Sequence, residues 1–240
     1  MRLARISTAT GPLTGEYEEG VVYADGDGYV VGEDGHLMAP CDPAAVFCTG
    51  RNFGAKIDQM GEADLPDEPD WFIKPPHSVH PPEAPIEYPT WTGELTYAGE
   101  LAAVVGDRCH DLSTEEVADA LLGYTILDDL DAYDQNRRTA RKAFDGSAPL
   151  GPWIETDVDL DGMAMYTDVA GERRQEATTD EMLFHPHEVV AHLSERYTLR
   201  PGDVISFGSP ANPGLLEPGD DVEITYEGVG TLRNRVVSSD

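Results

Sequence analysis

Lysine is nearly absent from this chain. Basic residues number 16 against 46 acids over 240 residues, a formal net charge of −30. So acidic a surface repels phosphate backbones and anionic headgroups, which excludes nucleic acid and membrane surfaces as partners. Cysteine is scarce too. Cys41, Cys48 and Cys109 are odd in number, widely spaced and form no C-x-x-C pair, so neither a disulfide framework nor a zinc site is indicated. No segment approaches the ~18 apolar residues of a membrane span, and MRLARIST lacks the apolar stretch of a secretion signal. A cytoplasmic protein is the expectation.

What is there argues for a packed core. Apolar residues make up 40% of the chain, with three Trp and ten Tyr, so the acid excess does not mean disorder. The acids are scattered over the whole length, which fits the solvated surface of a halophilic protein that stays soluble where salt screens repulsion. The length allows one large domain or two modest ones.

From Arg2 to Met38, short alternating runs (RLARI, GVVYA, GYVVG) are broken by DGDG and EDG, which favour tight hairpin turns. DGDG does not open a calcium loop, because the twelfth position from Asp25 is His36 and not a bidentate Glu. The segment 1–45 is expected to be a small N-terminal β subdomain, with 46–240 as the main domain. Residues 61–89 are rich in Pro, Asp and Glu and should form a long, lid-like loop without a helix or central strand. Ser113-Thr-Glu-Glu116 is a capping box for a short helix running to about Gly123, and a second helix is expected around Glu188–Tyr197. YTILDDL, GMAMYTDV, DVISFG and DVEITYEGVG read as strands. Strands dominate without βαβ alternation, so the fold class is α+β, a strand-rich mixed sheet or β-roll with a few short helices.

HEVVAH, His187 to His192, resembles a zinc-protease motif, but histidines five apart stand about 140° from each other around a helix and cannot share a metal. His185, His187 and His192 are expected to be surface or packing residues. The stretch TYAGELAAVVG, Thr96 to Gly106, is more telling. It reads as a strand that carries one carboxylate, Glu100, among apolar residues, and such an acid needs a partner. A second acid two positions earlier would share its face, but Ala98 stands there.

The segments TGRNF, FIKP, YAGELAAVVG, GYTILDDLDAYD, RKAFDGSAPLGPW, GERRQ, LRPGDVISFGSP and EGVGTLRN, in this order, resemble the fumarylacetoacetate hydrolase family over roughly residues 46–236. The K-x-F-D-x-x-x-P-L-G-P-W and PGD-x-I-x-x-G-[TS]-P runs carry the resemblance most specifically. It implies a β-roll of that family's C-terminal domain type, a homodimer, and a Mg²⁺ or Mn²⁺ ion held by carboxylates. It also implies action on a small 2-oxo or 1,3-dioxo acid through an enolate, by C–C hydrolysis, decarboxylation, isomerisation or dehydration.

The resemblance places Glu100 at the second Glu of the metal-binding E-x-E pattern and Asp129 at the metal-binding Asp, with Asp128 as a further ligand if the backbone bulges. Ala98 replaces the first Glu, so the expected metal is weakly bound or absent. C–C-cleaving members carry H-x-x-E on a lid helix, and here Lys56 and Gln59 hold those positions. The S-A-R-D-x-Q pattern reads DAYDQN, with Tyr133 at the Arg and Asn136 at the Gln. Arg51, Lys74, Lys142 and Ser209 match. The implied roles are catalysis for Lys142 and Lys56, and substrate binding for Arg51, Lys74, Tyr133, Asn136 and Ser209. Read from the residues alone, Glu100 and Asp129 fit structural ion pairs equally, Arg51 a turn, Lys74 a surface charge and Ser209 a loop cap. The alternative function is that of a catalytically impaired member serving as a binding or regulatory protein.

Overall fold

The structure is a computed structural model describing residues 1–61 and 64–239. Its frame is a twelve-stranded mixed sheet facing a five-stranded one. From one edge inward, the large sheet runs Asp27–Val30, Val21–Ala24, Gly11–Glu18, Arg2–Thr8, Ala148–Glu155, Leu121–Asp128, Gly99–Val105, Val204–Ser206, Val46–Gly50 and Asp70–Lys74. Two more strands, Gly35–Met38 and Val79–His80, pair with Arg2–Thr8 and Ala148–Glu155. The N-terminal hairpins therefore extend the large sheet, through Arg2 opposite Glu155 and Leu3 opposite Ile154. Val204–Ser206 runs parallel to Val46–Gly50, while most other neighbours are antiparallel, so the sheet is mixed as expected.

Gly99–Val105 is the strand on which the site depends, and every residue in it is buried. Leu101, Ala103 and Val105 join Ile126, Met165, Ile224 and Tyr226 in the core between the sheets. Ala102 and Val104 pack on the other side with Val46, Cys48, Leu127 and Val204. Both faces are covered, which is why ELAAVV is a continuous apolar run and not a polar–apolar alternation. Gly99 is where the two sheets come closest: a Cβ there would lie 2.6 Å from Thr167 Oγ1 and 2.8 Å from the Ile224 side chain.

The Pro-rich segment is more ordered than a loop. It holds strands Asp70–Lys74, Val79–His80 and Pro85–Tyr88, of which Asp70–Lys74 and Pro85–Tyr88 lie at sheet edges, where a Pro-flanked strand is tolerated. The Ser113 capping box forms and starts a 3₁₀ turn and a helix that ends at Ala120, a little earlier than expected. The later helix spans Pro186–Ser194. His185 caps it through its Nδ1, and His187 Nε2 lies 3.0 Å from the Tyr124 hydroxyl, so these histidines hold the helix in place and bind no shared ion. Among the described residues, no helix is long and apolar enough to cross a membrane.

Candidate active site

Two acids sit on the floor of the site because two neighbouring strands end there. Glu100 lies one residue into its strand and Asp129 follows the last residue of Leu121–Asp128. The Asp129 amide donates to the Ala98 carbonyl at 2.9 Å. Glu100 Oε2 accepts from the Ser206 hydroxyl and from the Gly208 amide at 3.2 Å, which leaves Oε1 as the oxygen available to the cleft. Gly208 adopts φ +84°, and a Cβ there would crowd Asn52 Cβ at 3.1 Å and the Thr49 carbonyl at 3.2 Å, so glycine is needed to aim this amide. Burial and the charge of Asp129 push the Glu100 carboxyl up to about 8. Asp128 turns away. Its Oδ1 accepts the Ala98 amide at 2.8 Å, and burial raises its carboxyl to about 7.

Three cations surround these acids. Lys74, fully buried, donates to the carbonyls of Leu130, Lys142 and Ser147 at 3.2, 2.6 and 2.7 Å, and its ammonium lies 2.9 Å from Asp129 Oδ1. Lys142 donates to Asp129 Oδ2 and stands 3.4 Å from Asp131. Arg141 grips Asp131 with two hydrogen bonds, and its guanidinium lies 4.7 Å from the centre of the Tyr133 ring. Burial alone would raise the Asp129 carboxyl, but Lys142 and Lys74 overcome it and hold the acid charged. Burial alone would likewise lower Lys142, but Asp129 and Asp131 hold it well above an ordinary lysine.

Above this floor lies a cleft of about 750 Å³. Helix Gly54–Met60 forms one wall and is latched to the opposite loop by Gln59, whose Oε1 accepts the Asn212 amide at 2.8 Å and whose Nε2 donates to Asn212 Oδ1 at 3.4 Å. Lys56 enters the cleft from this helix. Burial and the nearby Lys142 charge lower its amine to about 8. Gln175 fixes the far wall: its Oε1 accepts the Gly99 amide, and its Nε2 donates to Ser209 Oγ and the Pro210 and Ala211 carbonyls.

The cleft brings together Arg51, Lys56, Glu100, Asp129, Tyr133, Lys142 and Ser209. Lys74 is no surface charge; it lies beneath the cleft floor, holding Asp129 and three carbonyls. Arg51 adopts φ +57° and donates to the Asp64 carbonyl. Asn136 is exposed, and neither it nor Asp128 is among the residues that line the cleft. Three lining residues go beyond those read from the sequence: Asp131, Arg137 and Arg141. Their signal was present in DAYDQNRRTARK, where Asp131 replaces the Ser of the family pattern and bases cluster at 137, 138, 141 and 142 in a chain poor in bases. Arg141 thus returns a guanidinium to the side of Tyr133, although Asp131 already engages it.

The divalent ion implied by the resemblance needs converging carboxylates. Ala98 offers no side-chain oxygen, Asp128 is committed to a backbone amide, and Asp129 faces two ammonium groups. Among the described residues, no three His, Cys, Asp or Glu side chains come together to hold an ion. A cation on the remaining Glu100–Asp129 pair would have to displace Lys142 from Asp129, so this donor set does not fit a resident divalent ion.

Known proteins share this frame. A solved structure of 5-carboxymethyl-2-hydroxymuconate delta-isomerase from Mycobacterium smegmatis superposes with a TM-score of 0.89 at 36% identity, covering all of both chains. Fumarylpyruvate hydrolase from Pseudomonas aeruginosa, solved with Mn²⁺ and pyruvate, gives a TM-score of 0.77 at 28% identity over 93% of this chain and 99% of that one. Oxaloacetate tautomerase YcgM of Escherichia coli is 32% identical over 203 residues, 80% of this chain and 92% of that protein. The family described as fumarylacetoacetate (FAA) hydrolase C-terminal matches residues 45–237. With the paired strand ends, the K-x-F-D turn and the G-S-P loop all meeting at one cleft, the chain belongs to the fumarylacetoacetate hydrolase family.

Proposed function

We propose that this chain interconverts the keto and enol forms of a small 2-oxo acid. The observation that carries the reading is the pairing of unmatched charges across one cleft. Lys56 and Arg137 line it without an ion-pair partner among the described residues, opposite the buried acids Glu100 and Asp129. A substrate carboxylate supplies the charge that Arg137 lacks, as a planar fork that a guanidinium matches. The carbonyl oxygen, placed near Lys142, gains negative charge as the enolate forms, and a fixed ammonium stabilises that charge. Glu100 Oε1 is the group placed to carry the proton between carbon and oxygen.

Proton transfer is favoured over C–C hydrolysis because hydrolysis needs an activated water. The His and Glu expected on the lid for that purpose are replaced by Lys56 and Gln59, and Gln59 is engaged with Asn212. The tautomerase and isomerase among the relatives support the same class of substrate. A divalent ion has no step in this reading and binds only weakly, in competition with Lys142.

The test is the decay of enol oxaloacetate absorbance with the purified protein. Acceleration over buffer is expected, with a loss of about 10²-fold or more in Glu100→Gln at unchanged melting temperature. No acceleration on oxaloacetate or on acylpyruvates would overturn the proposal, and saturable binding of these acids without turnover would identify a binding protein instead.

A further inference from the structure

Lysine occurs at positions 56, 74 and 142 only, and all three side chains gather at this one site. Two of the amines are committed. Lys74 spends its three protons on carbonyls, and Lys142 is fixed between Asp129 and Asp131. Lys56 is not committed. Among the described residues its amine has neither an ion pair nor a hydrogen bond, in a chain where acids outnumber bases 46 to 16. It is also half-buried in the cleft wall, on a helix held down by the Gln59–Asn212 pair. A flexible surface lysine in such a chain would pair with one of many carboxylates. An amine kept from them, beside the fixed Lys142 charge, is in the environment that favours the neutral, nucleophilic form.

We propose that Lys56 is a covalent catalytic residue that condenses with the C2 carbonyl of a bound 2-oxo acid to form an imine. The inference rests on the reading that the cleft takes such acids, and it names the electron sink that the reaction uses. The Lys56 Nζ lone pair adds to C2 while the carbonyl π pair moves to oxygen, which takes up a proton. The resulting carbinolamine expels water to give the protonated C2=N bond. This iminium accepts the electron pair released when the C3 proton leaves, producing an enamine. Reprotonation at C3 and addition of water restore the free amine and the keto acid. No oxidant or reductant enters. A protonated imine draws electrons more strongly than a ketone, so it does the work for which a resident divalent ion has no fitting cage here. Lys142, held as ammonium, stabilises the oxygen of the carbinolamine but has no lone pair to attack with. The lowered Lys56 amine, at about 8, is consistent with this division of labour.

The experiment is borohydride trapping on the full chain with pyruvate, followed by intact mass measurement and peptide mapping. Reduction of the imine adds the mass of the acid less one oxygen atom. The expected result is a single adduct at Lys56 that is absent without pyruvate and absent from Lys56→Arg, a variant that keeps the charge; circular dichroism and melting confirm that it folds. Loss of turnover in Lys56→Arg, with unchanged binding of a non-reacting dicarboxylate, completes the support. No adduct from protein that turns over an oxo acid, an adduct at Lys74 or Lys142, or full turnover in Lys56→Arg would each overturn the proposal. An adduct at Lys56 in protein that shows no tautomerase activity would leave the imine standing and remove the functional reading, so the two fail separately.

Discussion

Lys74 Nζ stands 2.9 Å from Asp129 Oδ1, yet no hydrogen bond joins them. The three ammonium protons go to the Leu130, Lys142 and Ser147 carbonyls. Lys74 therefore acts as a buried positive charge that ties the Lys142–Ser147 turn to the strand end, and its attraction for Asp129 is Coulombic. Such a charge is tolerated inside the protein because every donor is satisfied and a counter-charge is adjacent.

Lys74→Met removes that charge but retains much of the volume. It leaves Asp129 with one ammonium and strands three carbonyls, and breaking a buried pair in this way costs about 3–5 kcal/mol. Urea unfolding of the variant is expected to show a loss in that range. The double variant Lys74→Met/Asp129→Asn should recover part of it, since the uncompensated carboxylate is then gone. A loss below ~1 kcal/mol would mean that Asp129 does not depend on Lys74.

The net charge of −30 predicts a stability that rises with salt. The Debye length contracts from ~10 Å at 0.1 M to ~3 Å at 1 M, so repulsion among surface acids fades while the buried pairs at the cleft floor are little affected. Thermal melting across a KCl series should move steadily upward. An unchanged or falling midpoint in molar KCl would remove the argument for a surface adapted to salt.

Much of the frame was legible because two-sided burial and turn chemistry leave direct marks: ELAAVV for a central strand, DGDG for a hairpin, S-T-E-E for a capped helix start. Glu100 and Asp129 were legible as a pair because a lone acid in an apolar strand needs a partner. Three features were not. Lys74, next to two prolines, reads as a surface charge, and only the fold shows that the Lys142–Ser147 turn closes over it. Asp131 and Arg141 are ten positions apart, and their pairing depends on how the chain turns after the strand end. Lys56 gave no sign of being unpaired, since the absence of a partner is a property of three-dimensional surroundings.

A titration distinguishes the three lysines. Trinitrobenzenesulfonate attacks neutral amines, so labelling of Lys56 should climb with pH and level off above about 8. A free lysine, at ~10.4, would still be climbing there. Lys142, held charged by Asp129 and Asp131, should stay unlabelled over the same range. Peptide mapping at each pH reads both sites. Equal labelling of Lys56 and Lys142 at pH 8 would contradict the electrostatic difference described for the cleft.

Ala98→Glu tests why the site has two acids and not three. Residues two apart on a strand face are about 7 Å apart along the backbone, near enough for a Glu at 98 and Glu100 to converge on one ion. With Asp129 as the third hard oxygen donor, Mn²⁺ affinity measured by calorimetry should rise by orders of magnitude over the parent chain. The ion would then displace Lys142 from Asp129, so the gain in affinity should fall at lower pH as the new carboxylate protonates. Without metal the variant should melt lower than the parent, because two neighbouring buried carboxylates repel until one takes up a proton. With saturating Mn²⁺ the order should reverse, since binding to the folded state alone raises its stability. A variant that folds, melts as the parent does and gains no affinity would show that the Lys142 ammonium, and not the missing side chain, is what keeps the ion out.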